Sequence, residues 1–204
     1  MALRIHDTLT DEKRDFVPLE PGKVKMYVCG VTPYDRSHLG HARVYVAFDL
    51  VQRYLKFSDY EVTYVRNFTD VDDKIIQRAN ERGVDALAYA QTYIEAFYED
   101  MDALGIARPD LEPRVSTTIK EIIEMVQSLE AKGIAYAVEG DVYYSVEAFS
   151  GYGKLSKRPL DELLAGARVE VNPKKRNPMD FALWKADKPG EPEWDSPWGK
   201  GRPG

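Results

Sequence analysis

One cysteine and two closely spaced histidines are the residues of this chain best suited by type to do chemistry. Cys29 is the only cysteine, and His38 and His41 follow it shortly. Imidazoles three residues apart share one face of a helix turn and can donate to the same anion, and Gly40 between them permits close backbone approach. The spacing indicates a phosphate-binding pair, the simpler alternative being histidines that only satisfy the helix terminus.

The segments on either side place these residues at a ligand-binding edge. Apolar and other residues alternate over 24–28, as in a β-strand. The apolar residues between Val44 and Leu55 share one helical face. Cys29 is therefore expected at the carboxyl end of a strand, and the histidines at the start of a helix. That crevice binds ligands in open α/β sheets, and a helix start favours phosphate.

Further elements follow from the pattern along the chain. A second strand over 61–66 completes a right-handed βαβ unit with parallel strands. One of Thr69, Asp70 and Asp72 is expected to cap the next helix, which Gly83 ends. Helices are predicted over 85–104 and from about residue 118, then a hairpin over 134–146. Residues 1–20 are expected to form a short strand or arm on the main sheet, and the Gly/Pro-rich stretch 189–204 no regular element.

Composition narrows the class of protein. With 204 residues, 44% hydrophobic and 30% charged, the chain is typical of a globular domain, and one cysteine excludes an internal disulfide. We expect a cytoplasmic protein without a membrane partner, because neither a long apolar run nor a signal peptide is present.

The net charge of −6 counts weakly against RNA binding. Two basic clusters, 154–158 and 174–176, are either solvated loops or cationic contacts to phosphate.

Three motifs together carry a family resemblance. His38-Leu39-Gly40-His41 is similar to the HIGH signature of class I aminoacyl-tRNA synthetases, and Tyr27-Val28-Cys29-Gly30 precedes it. With the stretches 64–76 (YVRNFTDVDDKII) and 177–185 (NPMDFALWK), the chain resembles the cysteinyl-tRNA synthetases from about Val24 to its end.

The resemblance implies a fold and a division of the chain. The expected class is α/β, the first half of a class I synthetase Rossmann-like parallel sheet with an inserted α+β connective-peptide module. Residues 1–112 would form the N-terminal arm and the first half of the nucleotide-binding catalytic domain. Residues 113–185 would be the connective-peptide insertion, and 186–204 the start of the second, truncated half.

The resemblance also implies site residues. His38 and His41 would be catalytic, stabilising the transition state at the α-phosphate of ATP by electrostatic preorganisation. Gly30, Thr32 and Thr69 would bind the amino acid, and Cys29 would be a metal ligand. The ATP-binding region would comprise Val31, Thr32, Pro33, Tyr34, Asp35, Arg36, Ser37, His38, Leu39, Gly40 and His41.

The implied reaction is the ligation of L-cysteine to tRNA(Cys), with ATP and Mg²⁺ as substrate. The basic clusters 154–158 and 174–176 would then contact the tRNA acceptor stem. One Zn²⁺ per full-length subunit would bind the thiolate of the substrate cysteine. Shape alone separates near-isosteric side chains only about 10–200-fold. Zinc–thiolate bonding adds selectivity against a serine hydroxyl.

Departures from the family leave more than one function open. The second signature, KMSKS, and three further zinc ligands are absent and would lie beyond Gly204. The 204-residue chain alone is therefore expected to be inactive and to hold zinc weakly or not at all. Pro33 stands where the family more usually has an apolar residue other than proline. In this feature the chain resembles a paralogous ATP-dependent ligase that joins cysteine to an amino sugar in mycothiol synthesis. The sequence also permits a non-catalytic nucleotide-binding module, or a local metal site made by Cys29, Asp35, His38 and His41.

Overall fold

A computed structural model describes residues 3–157 and 173–204. Over these residues, the elements in chain order are β1 (Arg4–Asp7), β2 (Glu12–Asp15), β3 (Lys23–Val31), α1 (Leu39–Phe57), β4 (Glu61–Phe68), α2 (Asp73–Arg82), α3 (Ala86–Ala103), α4 (Ile119–Ala131), β5 (Ala135–Val138), β6 (Asp141–Tyr144), β7 (Phe181–Ala186) and β8 (Gly201–Pro203), with a short 3₁₀ turn at Val115–Thr117.

The chain divides into two compact units. The parallel unit comprises Pro18–Ile119 and Lys188–Pro192 and contains β3, α1, β4, α2 and α3. The antiparallel unit comprises Met1–Val17, Lys120–Asp187 and Glu193–Gly204. These boundaries differ from the segments 1–112, 113–185 and 186–204, and the assignment of those segments to synthetase domains stays a prediction.

The parallel strands β3 and β4 form the predicted βαβ arrangement around α1. Their register runs from Lys23 opposite Glu61 to Val28 opposite Arg66 and then shifts, so that Val31 lies opposite Phe68. From Val28 to Val31 β3 advances three residues while β4 advances two, which makes a bulge at Cys29 and Gly30. The parallel α/β class expected from the sequence is confirmed.

One face of this sheet is covered by helices. Side chains of β3, α1, β4, α3 and the loop after α3 meet there in a core of buried residues, namely Val28, Val31, Tyr45, Tyr64, Phe68, Ile94, Phe97, Met101 and Ile106. Arg66 is also buried, at 1% exposure, and forms an ion pair with Glu112. Its guanidinium lies 5.1 Å from the Tyr45 ring centroid and 4.8 Å from that of Phe97, so the aromatic faces help to offset the desolvation of the charge.

The ends of α2 carry the expected signals. Asp72 is the N-cap, and its carboxylate accepts a hydrogen bond from the Lys74 backbone N–H at 2.8 Å. Gly83 ends the helix in the left-handed conformation, with φ of 64°. Capping by one of the three predicted residues is therefore confirmed, and the residue is Asp72.

The antiparallel unit contains a sheet of four strands in the order β5-β6-β7-β8. The predicted hairpin is confirmed as β5 and β6, whose turn residues Glu139 and Gly140 have φ values of 51° and 85°. The expectation that 189–204 holds no regular element is wrong, because residues 201–203 pair with β7. A partner distant in sequence supplies the hydrogen bonds, and periodicity within the segment cannot reveal such a partner.

A buried carboxylate joins three parts of this unit. Asp180 is 1% exposed, and its oxygens accept from the Tyr136 hydroxyl at 2.6 Å, the Val146 N–H at 3.0 Å and the Asn177 N–H at 3.1 Å. The motif around residues 177–185 thus contains a structural residue that ties β5 and the turn before β7 together.

The N-terminal residues form a hairpin of their own. β1 and β2 pair antiparallel in a separate two-stranded sheet, so residues 1–20 contain a hairpin where a single short strand or arm on the main sheet was expected. Their side chains are mostly charged and, apart from the half-buried Asp7, exposed, which suits a ribbon held by its own turn. Within residues 3–157 and 173–204, no helix combines the length and the apolar character that a membrane crossing requires.

Candidate functional site

His38 and His41 form the N-terminal cap of α1. His38 is the N-cap residue, and its Nδ1 accepts from the Gly40 N–H at 3.1 Å. The Nδ1 of His41 accepts from the His38 N–H at 3.2 Å, which completes a reciprocal capping box. The ring centroids are 4.0 Å apart. The structure therefore confirms that both histidines satisfy the helix terminus.

The capping geometry determines where each imidazole carries its proton. A backbone N–H can only donate, so each Nδ1 must be an unprotonated acceptor, and a neutral ring then carries its hydrogen on Nε2. Burial, followed by the neighbouring His38, lowers the pKa of His41 below its usual value, which favours the neutral form. Capping therefore leaves two Nε2–H donors beside the helix start.

The structure gives a steric reason for glycine at position 40, in addition to the close backbone approach expected from the sequence. A Cβ at this position would lie 2.8 Å from Cε1 and 2.9 Å from Nδ1 of His38. Any larger residue would displace the His38 ring from its capping position.

The loop between β3 and α1 is held by side chains of α2 and α3. Arg78 Nη1 donates to Asp35 Oδ2 at 2.9 Å, and the Tyr89 hydroxyl donates to the Tyr34 carbonyl at 3.0 Å. The cations of Lys74 and Arg78 each lie 5.2 Å from the Tyr34 ring centroid. The Arg36 backbone N–H, followed by Arg78, lowers the pKa of Asp35, so this carboxylate stays charged and paired.

The other residues of the predicted ATP-binding region range from fully buried to exposed. Pro33 is fully buried, and the Thr32 carbonyl accepts from the Tyr34 N–H at 3.0 Å. Arg36 is exposed and Ser37 is half-buried. Leu39 is 85% exposed.

Two of the three predicted amino-acid-binding residues, Gly30 and Thr69, lie together at the carboxyl ends of β3 and β4, and Thr32 follows β3 directly. The Thr69 N–H donates to the Val31 carbonyl at 3.0 Å, which brings the residue after β4 beside the end of β3. Asn67 Oδ1 accepts from the Gly30 N–H at 2.8 Å, and Asn67 Nδ2 donates to Thr69 Oγ1 at 3.3 Å. The structure thus brings Gly30 and Thr69 together through Asn67, a residue that the sequence did not single out.

Cys29 is exposed in the bulge of β3, on the sheet face opposite the buried Val28. Beneath it, the Tyr45 hydroxyl donates to the Cys29 carbonyl at 3.3 Å. Burial raises the pKa of Tyr45 to about 12, so this phenol remains a donor. The strand backbone that carries the thiol is therefore anchored to α1.

The described residues do not supply a complete metal site. Across residues 3–157 and 173–204, no group of three or more His, Cys, Asp and Glu side chains could hold a metal ion. A local site made by Cys29, Asp35, His38 and His41 is therefore not supported, and Asp35 is instead bound to Arg78. Cys29 contributes one thiol, so the residues present do not by themselves fit a zinc ion.

The basic clusters are partly engaged within the antiparallel unit. Lys174 forms ion pairs with Glu139 and Asp141, each at 3.3 Å. Lys157 lies 3.4 Å from Asp11, and Arg176 covers the Tyr136 ring at 4.0 Å. Arg158 lies outside the described residues. These contacts favour structural roles for Lys157, Lys174 and Arg176 and leave the tRNA hypothesis a prediction.

A parallel βαβ unit with paired histidines at the helix start is the arrangement of class I aminoacyl-tRNA synthetases, and the family comparison agrees. The model described as tRNA synthetases class I (C) catalytic domain matches residues 15–204, so the chain belongs to this family.

Curated relatives are more specific. The chain is 62% identical over 204 residues to a cysteine–tRNA ligase of Syntrophobacter fumaroxidans, covering all of this chain and 41% of the relative. It is 64% identical over 205 aligned positions to a cysteine–tRNA ligase of Anaeromyxobacter dehalogenans, covering 43% of that protein. The chain thus spans less than half the length of these relatives.

Solved structures support the fold alone. A methionyl-tRNA synthetase of Mycobacterium tuberculosis in complex with methionyl-adenylate matches with a TM-score of 0.53 at 24% identity, over 61% of this chain and 25% of that one. A leucyl-tRNA synthetase in a ternary complex from Agrobacterium radiobacter matches with a TM-score of 0.50 at 24% identity, over 64% of this chain and 17% of that one.

Proposed function

We propose that the full-length protein to which these residues belong is a cysteine–tRNA ligase. The carboxylate of L-cysteine attacks the α-phosphorus of ATP, and pyrophosphate leaves to give cysteinyl-adenylate. A ribose hydroxyl at the end of tRNA(Cys) then attacks the carbonyl carbon, and AMP leaves. Curated relatives of that name at 62% and 64% identity support the choice of substrate.

The observation that carries the proposal is the histidine pair at the start of α1. Each Nδ1 is occupied by a backbone N–H, so His38 and His41 have Nε2–H groups left for a ligand. Negative charge grows on the α-phosphate as the carboxylate attacks, and fixed donors at a helix N-terminus stabilise it without reorganisation. Mg²⁺ arrives with ATP as part of the substrate. Residues 31–41 would form the nucleotide-binding region.

The amino acid would bind beside this region, at the ends of β3 and β4. Gly30, Thr32 and Thr69 would contact cysteine there, because parallel strands bind ligands at their carboxyl ends. The Asn67 bonds to Gly30 and Thr69 favour this location, since they order both residues at one edge of the sheet.

We propose zinc binding only for the full-length protein. Cys29 would be one ligand, and the others would come from residues beyond this chain. Zinc analysis of the full-length protein and its Cys29→Ser variant tests this role. The cytoplasmic location expected from the sequence stays a prediction.

The test is an amino-acid-dependent ATP–pyrophosphate exchange assay with the full-length protein. We expect exchange with cysteine and little with serine, methionine or leucine. Charging of tRNA(Cys) should follow, whereas transfer of cysteine to an amino sugar would favour the paralogous ligase that Pro33 suggests. Binding of ATP without exchange would indicate a non-catalytic nucleotide-binding module.

A further inference from the structure

Asn67 is the penultimate residue of β4 and joins three residues of the parallel unit. Its Oδ1 accepts from the Gly30 N–H at 2.8 Å and from the Tyr27 hydroxyl at 2.9 Å. Its Nδ2 donates to Thr69 Oγ1 at 3.3 Å. The side chain is half-buried and lies on the sheet face that also carries the exposed Cys29.

The contact with Gly30 fixes the orientation of the amide. A backbone N–H can only donate, so the atom facing Gly30 must be the oxygen of Asn67. The NH₂ group therefore faces Thr69, whose hydroxyl oxygen accepts from it. Having accepted, the Thr69 hydroxyl is free to donate its own hydrogen to another group.

The hydrogen bond between Gly30 and Asn67 depends on the bulge in β3. The ladder shifts between Val28 and Val31, and the Gly30 N–H binds the Asn67 side chain within the shifted stretch. A Cβ at Gly30 would lie 1.5 Å from the Asn67 carbonyl oxygen, so only glycine permits the approach. Bulges commonly occur beside active sites, where they redirect side chains.

We propose that Asn67 is a positioning residue of the amino-acid site, and that its amide orients the Thr69 hydroxyl as a hydrogen-bond donor to the bound amino acid. This inference rests on the function proposed above. The ligand is the amino acid and not the nucleotide, because Asn67 contacts the strand ends and the nucleotide would lie over the start of α1.

The decisive variants are Asn67→Asp and Thr69→Val in the full-length protein, assayed by cysteine-dependent pyrophosphate exchange. Asn67→Asp keeps an acceptor for Gly30 and Tyr27 but forces the Thr69 hydroxyl to donate toward residue 67. Thr69→Val removes the hydroxyl with little change of shape. We expect each to raise the KM for cysteine on the order of tenfold, the value of one lost hydrogen bond, with the KM for ATP little changed.

Two variants serve as controls. Tyr27→Phe removes a bond to the same Asn67 oxygen without touching Thr69, and Thr63→Val makes the same exchange elsewhere on β4. Both should keep a near wild-type KM for cysteine. Melting temperatures show whether each variant is folded. If Asn67→Asp does not fold, Thr69→Val decides alone.

Two results would overturn the inference. One is a wild-type KM for cysteine in folded Asn67→Asp or in Thr69→Val, which would make Asn67 a purely structural residue. The other is an equal rise of the KM for ATP, which would place the effect on the nucleotide. Failure of the proposed function is distinguishable, because the wild-type protein would then show no cysteine-dependent exchange at all.

Discussion

The histidine pair caps α1 through both Nδ1 atoms, and the proposed ligand chemistry uses the Nε2 atoms of the same side chains. The sequence predicted the position of His38 and His41 at a helix start, and the structure adds that both Nδ1 atoms are used by the backbone. Periodicity cannot reveal a tautomer, because the tautomer depends on the hydrogen bonds of the folded helix end.

Acid should destabilise the chain partly through His41. The pKa of His41 in the folded state is lowered from 6.5. As the pH falls, the unfolded chain therefore binds more protons at this residue than the folded chain does, and unfolding becomes more favourable. We expect His41→Gln to lose less free energy of unfolding than the wild type between about pH 7 and about pH 5. Urea unfolding at both pH values measures the difference, and equal losses for the two proteins would contradict the lowered pKa.

Gly30 should tolerate no side chain. A Cβ would lie 1.5 Å from the Asn67 carbonyl oxygen, so Gly30→Ala must separate β3 from β4. We expect a loss of about 3 kcal/mol or more in the free energy of unfolding. Gly22→Ala is the matched control, since nothing lies within 4 Å of its added Cβ, and its φ of +77° should cost only about 1–2 kcal/mol. Equal losses of the free energy of unfolding in the two variants would mean that the bulge accommodates the added Cβ at position 30.

At the scale of elements, the sequence was informative wherever the signal is local. The alternation of β3, the apolar face of α1 and the stop at Gly83 depend on neighbouring residues, and each was predicted. The pairing of β8 with β7 and the bulge at Gly30 depend on distant partners, and both were missed. Asn67 escaped notice for the same reason, because its role appears only when β3 and β4 are side by side.

The loop before α1 should loosen when Arg78 is removed. Arg78 pairs with Asp35 and lies over Tyr34, and both residues belong to the predicted nucleotide-binding region. We expect Arg78→Ala to accelerate amide hydrogen exchange in residues 34–37 while the core of α3 stays protected. Gln77→Ala is the control on the same helix, since the Gln77 amide donates to Glu81 one turn further along α2. Unchanged exchange in the loop would show that Tyr89 and Lys74 hold it alone.

At the scale of the whole molecule, the proposed function requires residues beyond those of this chain. Its curated relatives are more than twice as long, as the coverage of 41% and 43% shows. The described residues include the two capping histidines of α1 and the exposed Cys29 thiol, and they contain no group of three or more possible metal ligands.

The 204-residue chain should therefore fold without catalysing exchange. Its parallel and antiparallel units each have buried residues and hydrogen bonds of their own, which supports folding. Circular dichroism should show native secondary structure, and cysteine-dependent pyrophosphate exchange should stay at background. Turnover by this chain that disappears in His41→Ala would mean that the active site is complete here.

In the proposed function, the start of α1 stabilises the α-phosphate during adenylate formation. The most direct measurement is the single-turnover rate of cysteinyl-adenylate formation by the full-length protein and its His41→Ala variant. Loss of one preorganised donor should lower this rate on the order of 10²–10³-fold, with cysteine binding largely retained. An unchanged rate in a folded variant would contradict the claim and leave His41 as a capping residue only.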